Sequence, residues 1–202
     1  MIPSLAVFSP ASRRLLTTVL ATALATVAIT GCSASGGGTS QKTVADPNGL
    51  FHFKIPAEWQ SNTEQGLITV YGAEELPESG EIAALSLIVL SGATEDTGTP
   101  IDTKIVEIVD LRAESRGWTD YSVGDPGEVM VGNRTGTRVE VQGSDAEGVA
   151  FEGAYHLVRT AGSDVLIVAV SPEGQWASDG EQLDEVFEQW YWLRAETGDQ
   201  AP

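Results

Sequence analysis

The segment Leu50-Phe51-His52-Phe53-Lys54-Ile55 alternates apolar and polar side chains. It places Phe51, Phe53 and Ile55 on one face of a strand and His52 and Lys54 on the other. Pro56 ends it. Leu67 to Tyr71 and Ile82 to Leu90 predict two further strands, the second continuous enough in apolar residues to be covered on both faces. Thr99-Pro100-Ile101-Asp102 then offers an N-cap, a proline at the first helical position and an acid at the third. Ile101, Ile105, Ile108 and Val109 recur behind it at helical spacing, and Gly117 suits a left-handed close. Tyr121 to Val123, Glu128 to Val131 and Arg134 to Gln142 read as short strands around the turns Gly124-Asp125-Pro126-Gly127 and Gly132-Asn133. Val149 to Arg159 and Asp164 to Val170 read as two longer strands joined at Ala161-Gly162-Ser163. Ser178-Asp179-Gly180-Glu181 is a capping-box pattern for a last helix, with Leu183, Val186, Phe187 and Trp190 as its apolar stripe. Three strands, a helix, four or so strands and a helix predict an α+β fold. Its expected form is an antiparallel sheet of about six to seven strands with two main helices packed on it.

Ahead of this pattern the chain changes character. Arg13-Arg14 is followed by an apolar run from Leu15 to Thr30, rich in Ala and Thr and short for a membrane span of about 20 residues. The run ends in Ile29-Thr30-Gly31-Cys32, which resembles the lipobox of bacterial lipoproteins. That resemblance implies a diacylglyceryl group on the Cys32 thiol and cleavage just before it. Ile29, Thr30 and Gly31 are then the residues that the signal peptidase recognises. Ser33 to Lys42, with Gly36-Gly37-Gly38, reads as a Gly/Ser tether with an average reach of about 15–20 Å. The expected organisation is therefore a lipoprotein signal peptide at 1–31, the lipidated cysteine and tether at 32–43, a folded domain at 44–195 and a disordered tail at 196–202. The expected location is the extracytoplasmic side of the cell membrane.

Charge narrows the partners. All 29 acidic residues follow Cys32, whereas Arg13 and Arg14 precede it, leaving nine basic side chains against 29 acidic ones in the remainder. Such a surface repels phosphate backbones, and no nucleic-acid partner is expected. Cys32 is the only cysteine, so neither an intramolecular disulfide nor a cysteine-rich metal site is available.

Two stretches carry a fold-level resemblance. Phe51-His52-Phe53-Lys54-Ile55-Pro56-Ala57-Glu58-Trp59 resembles the opening strand, proline and tryptophan of PsbP-like domains. Val129-Met130-Val131-Gly132-Asn133-Arg134-Thr135-Gly136 is similar to their middle strand-glycine-strand segment. With the lipobox and the acidic composition, the chain looks like the LpqN/LpqT-type lipoproteins of actinobacteria within that superfamily. The resemblance spans about Val44 to Ala195. It implies a PsbP-like α/β sandwich used for binding or for supporting larger assemblies, with no common catalytic residues to carry over.

Catalytic chemistry is sparse. Among phosphate and nucleophile motifs, neither G-x-S-x-G nor G-x-x-x-x-G-K-[ST] occurs. His52 and His156 are the only histidines, and both read as outward-facing strand residues without ligand spacing to other metal-binding types. The acidic loop Asp145-Ala146-Glu147-Gly148 falls short of a calcium loop. No metal, cofactor or catalytic residue is expected. Aromatic side chains remain as a binding surface. Trp59 is expected to plug the first turn and Trp190 to sit in the core, leaving Trp176 and either Tyr191 or Trp192 exposed; Trp176 and Trp192 are the binding candidates. The leading expectation is a lipid-anchored, non-catalytic binding or accessory module of the cell envelope, with an envelope protein or a lipid as partner. A carrier of a lipid or other apolar ligand is the alternative, and an envelope hydrolase ranks below it.

Overall fold

The computed structural model describes residues 40–73, 84–92, 98–160 and 163–193. Cys32, the expected signal at 1–31 and the expected tail at 196–202 lie outside them. In chain order the described elements are β1 (Gln41–Ala45), β2 (Phe51–Pro56), β3 (Gln60–Glu64), β4 (Leu67–Tyr71), β5 (Ser86–Ser91) and α1 (Ile101–Arg116). There follow β6 (Thr119–Val123), β7 (Gly127–Val131), β8 (Arg134–Ser144), β9 (Ala150–Thr160), β10 (Ser163–Pro172), α2 (Trp176–Glu188) and β11 (Trp190–Trp192). All pairings are antiparallel. The large sheet runs β3-β4-β5-β10-β9-β8-β6, with β7 sharing the β8 edge that β6 uses further along. The small sheet runs β1-β2-β11 and so joins the two ends of the domain across β2.

The expected α+β class, with two helices on an antiparallel sheet, is observed; where one sheet of six to seven strands was expected, the described residues form a sheet of eight and a second of three. Each face of the large sheet carries its own apolar layer. On one face Ile105, Val109 and Ala113, spaced four apart along α1, are buried with Val139, Val141, Phe151, Tyr155, Leu157, Leu166 and Val168 near or within that layer. On the other, Leu183, Val186 and Phe187 of α2 meet Val165, Ile167 and Ala169 of β10 together with the inner face of the small sheet. Phe51, Phe53 and Ile55 are fully buried there, each side chain contributing about 1.5–3 kcal/mol of transfer free energy. Trp190 stacks on Phe53 at 4.5 Å, with Phe51 at 4.7 Å.

The ends of the helices differ from expectation in detail. α1 closes as expected, with Gly117 left-handed at φ 66° and the Trp118 amide donating to the Ala113 carbonyl. At its start Pro100, not Thr99, is the capping residue, and Asp102 accepts a hydrogen bond from the Thr137 hydroxyl at 2.9 Å, tying the helix to β8. α2 starts two residues before Ser178. The turn closed by the Gln175 amide on the Pro172 carbonyl sets that start, so Ser178 lies inside the first turn and donates to the Gln175 carbonyl instead of capping. Trp190 leaves the helix and pairs with Phe53 in β11. Gln41 to Thr43, expected in the tether, belong to β1.

One buried ionic group fixes α1 against the β9–β10 end of the sheet. Lys104 Nζ lies 2.8 Å from Asp164 Oδ2, and Arg159 Nε lies 3.4 Å from Asp164 Oδ1 while its Nη2 donates to the Thr99 carbonyl. The Lys104 and Asp164 side chains are 7% and 1% exposed, so their contact is taken almost wholly out of water, while Arg159 reaches in from a partly exposed position.

Candidate functional site

The alternation Arg138-Val139-Glu140-Val141-Gln142 sends the two valines under α1 and the three polar side chains to the opposite face of β8. Register on β9 places Arg138 opposite His156, Glu140 opposite Ala154 and Gln142 opposite Glu152. α2 covers only part of this face, and its first residue, Trp176, stands at the boundary. Two adjoining recesses of about 220 and 390 Å³ result, sharing Trp176 and Ala177 in their walls.

The cleft mixes apolar and polar walls, and its cation is ion-paired although the buried Arg138 Nε has no hydrogen-bond partner within the protein. Arg138 Nη2 contacts Glu140 Oε1 at 2.7 Å, and the guanidinium carbon stands 5.9 Å from the centre of the Trp176 ring. Glu152 Oε2 accepts from the Gly174 amide at 3.3 Å, which holds the turn before α2 against β9. Behind the cleft, Gly153 lets β9 lie close to the β10 backbone. A Cβ there would lie 2.2 Å from the Ala169 carbonyl oxygen, closer than any side chain tolerates.

His156 closes the inner end of the smaller recess. The expectation of an outward-facing histidine is corrected: His156 is 1% exposed, its ring edge-on to Phe187 at 4.9 Å. The reason is that α2 covers the face of β9 on which it stands. Burial, and secondarily the nearby Arg138 charge, lower its pKa to about 3, with the Ile167 backbone acting weakly the other way. The imidazole is neutral across the physiological range, and its Nδ1 has no hydrogen-bond partner within the protein.

The other predicted residues fall elsewhere. Trp176, expected to be exposed, is half-buried at the start of α2. Trp192 turns inward, where its Nε1 donates to the Val131 carbonyl at 2.8 Å and Arg134 lies 5.0 Å over its ring; Tyr191 is the exposed member of that pair. His52 is on the outer side of the small sheet as expected, stacked on Tyr191 at 5.1 Å. Trp59 is 4% exposed after β2. Arg138, Glu140, Gln142 and Glu152 were not singled out from sequence, although the polar alternation of β8 was the signal for three of them. Among the described residues, no three His, Cys, Asp or Glu side chains converge on a metal position, and no helix is long and apolar enough to cross a membrane.

No family model and no curated protein matches the chain. Solved structures do. Cyanobacterial PsbP (CyanoP) from Synechocystis aligns at a TM-score of 0.55 and 12% identity, over 81% of this chain and 98% of that one. The likeness is one of fold. It extends to the Ran-binding protein Mog1p of Saccharomyces cerevisiae, at a TM-score of 0.52 and 18% identity over 77% of this chain and 97% of that one. It extends also to LpqN of Mycobacterium tuberculosis, at 0.50 and 11% identity over 77% and 91%. Two helices on an antiparallel sheet are thus the arrangement that this chain shares with its PsbP-like neighbours.

Proposed function

We propose that the chain is a lipid-anchored, non-catalytic binding or accessory module of the cell envelope, tethered through Cys32 and presenting the Trp176 cleft to a partner. The observation that carries this reading is the state of His156. A general base works best with a pKa near the operating pH, and an imidazole that protonates only near pH 3 is a poor one. The remaining side chains of the cleft offer an indole face, a guanidinium, an amide and carboxylates, groups suited to recognising shape and hydrogen bonds. His52 is in the other sheet, stacked on an exposed tyrosine. The fold likeness supports the same reading, since LpqN is described as involved in cell envelope biogenesis and Mog1p as a Ran-binding protein. The lipobox-like Ile29-Thr30-Gly31-Cys32 supplies the anchor and the extracytoplasmic address.

The test is purification of the lipidated protein from its own membranes in mild detergent, with mass spectrometry of what accompanies it. A stoichiometric protein that is lost with Trp176→Ala is the expected result. A bound lipid without protein would turn the reading to a carrier, and Cys32→Ser that stays in the membrane fraction would remove the anchor.

A further inference from the structure

The small sheet has an inner face in the core and an outer face with no element of the described chain over it. Strand alternation puts Thr43 and Ala45 of β1, His52 and Lys54 of β2 and Tyr191 of β11 on that outer side. Leu193 follows on the same side, its amide held by the Leu50 carbonyl at 2.8 Å. Tyr191 is 47% exposed and Leu193 54%, next to the half-buried His52 that stacks on Tyr191.

Two observations say what this face meets. The first is charge. β1, β2 and β11 contain no aspartate or glutamate, in a chain with 29 of them, and the outer face adds Lys54. A chain of net charge −18 is repelled as a whole by anionic headgroups, so an acid-free exposed face carrying a cation, a tyrosine and a leucine tolerates their approach. The second is chain connection. Nine residues lead from Cys32 to the first residue of β1, a path of at most about 32 Å when fully extended. The strand nearest the anchor in sequence is therefore an edge of this sheet.

We infer that the outer face of the β1–β2–β11 sheet is the side on which the domain rests against the lipid headgroups, with Tyr191 and Leu193 at the interface and Lys54 toward the phosphates. Tyrosine suits that position because its ring is apolar and its hydroxyl wet. The inference rests on the reading of Cys32 as the lipid-bearing residue. It turns a tether into an orientation, leaving the Trp176 cleft on a separate surface for its partner.

Tyr191→Cys and, as a control on the outer side of α1, Leu111→Cys are each labelled with a thiol-reactive fluorophore in the full lipidated protein. Each is then reconstituted in phosphatidylethanolamine–phosphatidylglycerol vesicles containing headgroup-spin-labelled lipid, and acylation of Cys32 is read by mass spectrometry. The expected result is several-fold stronger quenching of the label at position 191 than at 111. Equal quenching on an acylated protein overturns the membrane face and leaves the anchor standing. A Cys32 without acyl mass overturns the anchor reading and the membrane face with it. A label at 191 in the native membrane that is shielded from an aqueous quencher yet unquenched by lipid assigns the face to a protein and likewise overturns the inference.

Discussion

The buried neutral His156 makes a quantitative demand on acid stability. In the unfolded chain the imidazole takes up a proton near pH 6.5, whereas in the fold it does so only near pH 3. Between those values the unfolded state binds the extra proton, so stability is intact above about pH 6.5 and falls as pH drops toward 3. Each unit of pH in that interval costs about 1.4 kcal/mol, hence roughly 2–3 kcal/mol by pH 4.5 and about 5 kcal/mol by pH 3. Against a typical stability of about 5–15 kcal/mol this is a large share from one side chain. The perturbation is His156→Leu, which removes the titration and keeps an apolar body against Phe187. Urea unfolding of both proteins at pH 7, 6, 5 and 4.5 is the assay. The many carboxylates titrate equally in both proteins and cancel in the difference. Wild type is expected to lose roughly 2–3 kcal/mol relative to the variant between pH 7 and 4.5. Parallel curves for the two proteins would refute the placement of a neutral imidazole in this core.

Three further outcomes follow from named contacts. Gly153→Ala forces a methyl to 2.2 Å from the Ala169 carbonyl in the most extensively paired part of the sheet; a loss of about 1–3 kcal/mol or more is expected, read as a lower urea midpoint. Asp164→Ala removes the carboxylate at 2.8 Å from Lys104 and is expected to cost about 3–5 kcal/mol, while Lys104→Met with Asp164→Leu recovers most of it in thermal unfolding. Trp192→Phe keeps an aromatic ring but loses the hydrogen bond to Val131, an expected cost of about 0.5–1.5 kcal/mol, with little change if that bond is idle.

The elements that were legible in the sequence are those whose signal is local. The alternation around Phe51 and Phe53, the helical spacing from Ile101 to Gly117 and the long strands β9 and β10 each declare themselves within one segment. What escaped depends on partners remote in sequence. β1, with the composition Gln-Lys-Thr-Val-Ala, and the three residues of β11 are strands because β2 lies between them. Trp190 continues the apolar stripe of α2 by spacing, and only its pairing with Phe53 places it in a sheet. His156 was misplaced for a related reason. β9 is covered on both faces, so alternation carries no sign of which side is wet, and the cover over His156 comes from a helix twenty residues later. The cleft was half visible: the polar face of β8 is periodic, but that α2 leaves it partly open is a matter of packing.

The closure of β2 by the first and the last strands of the domain also bears on how the chain acquires its structure. A polypeptide emerging N-terminus first presents Phe51 and Phe53 long before Trp190 arrives to cover them. The small sheet has the longest sequence separation of any pairing in the fold, and such contacts form late because their loop must close first. Until the final strand is delivered, the exposed aromatic pair is a natural target for a holding chaperone. Completion of the fold is thereby linked to synthesis through Trp190, and a product cut short before it carries its own mark of being unfinished.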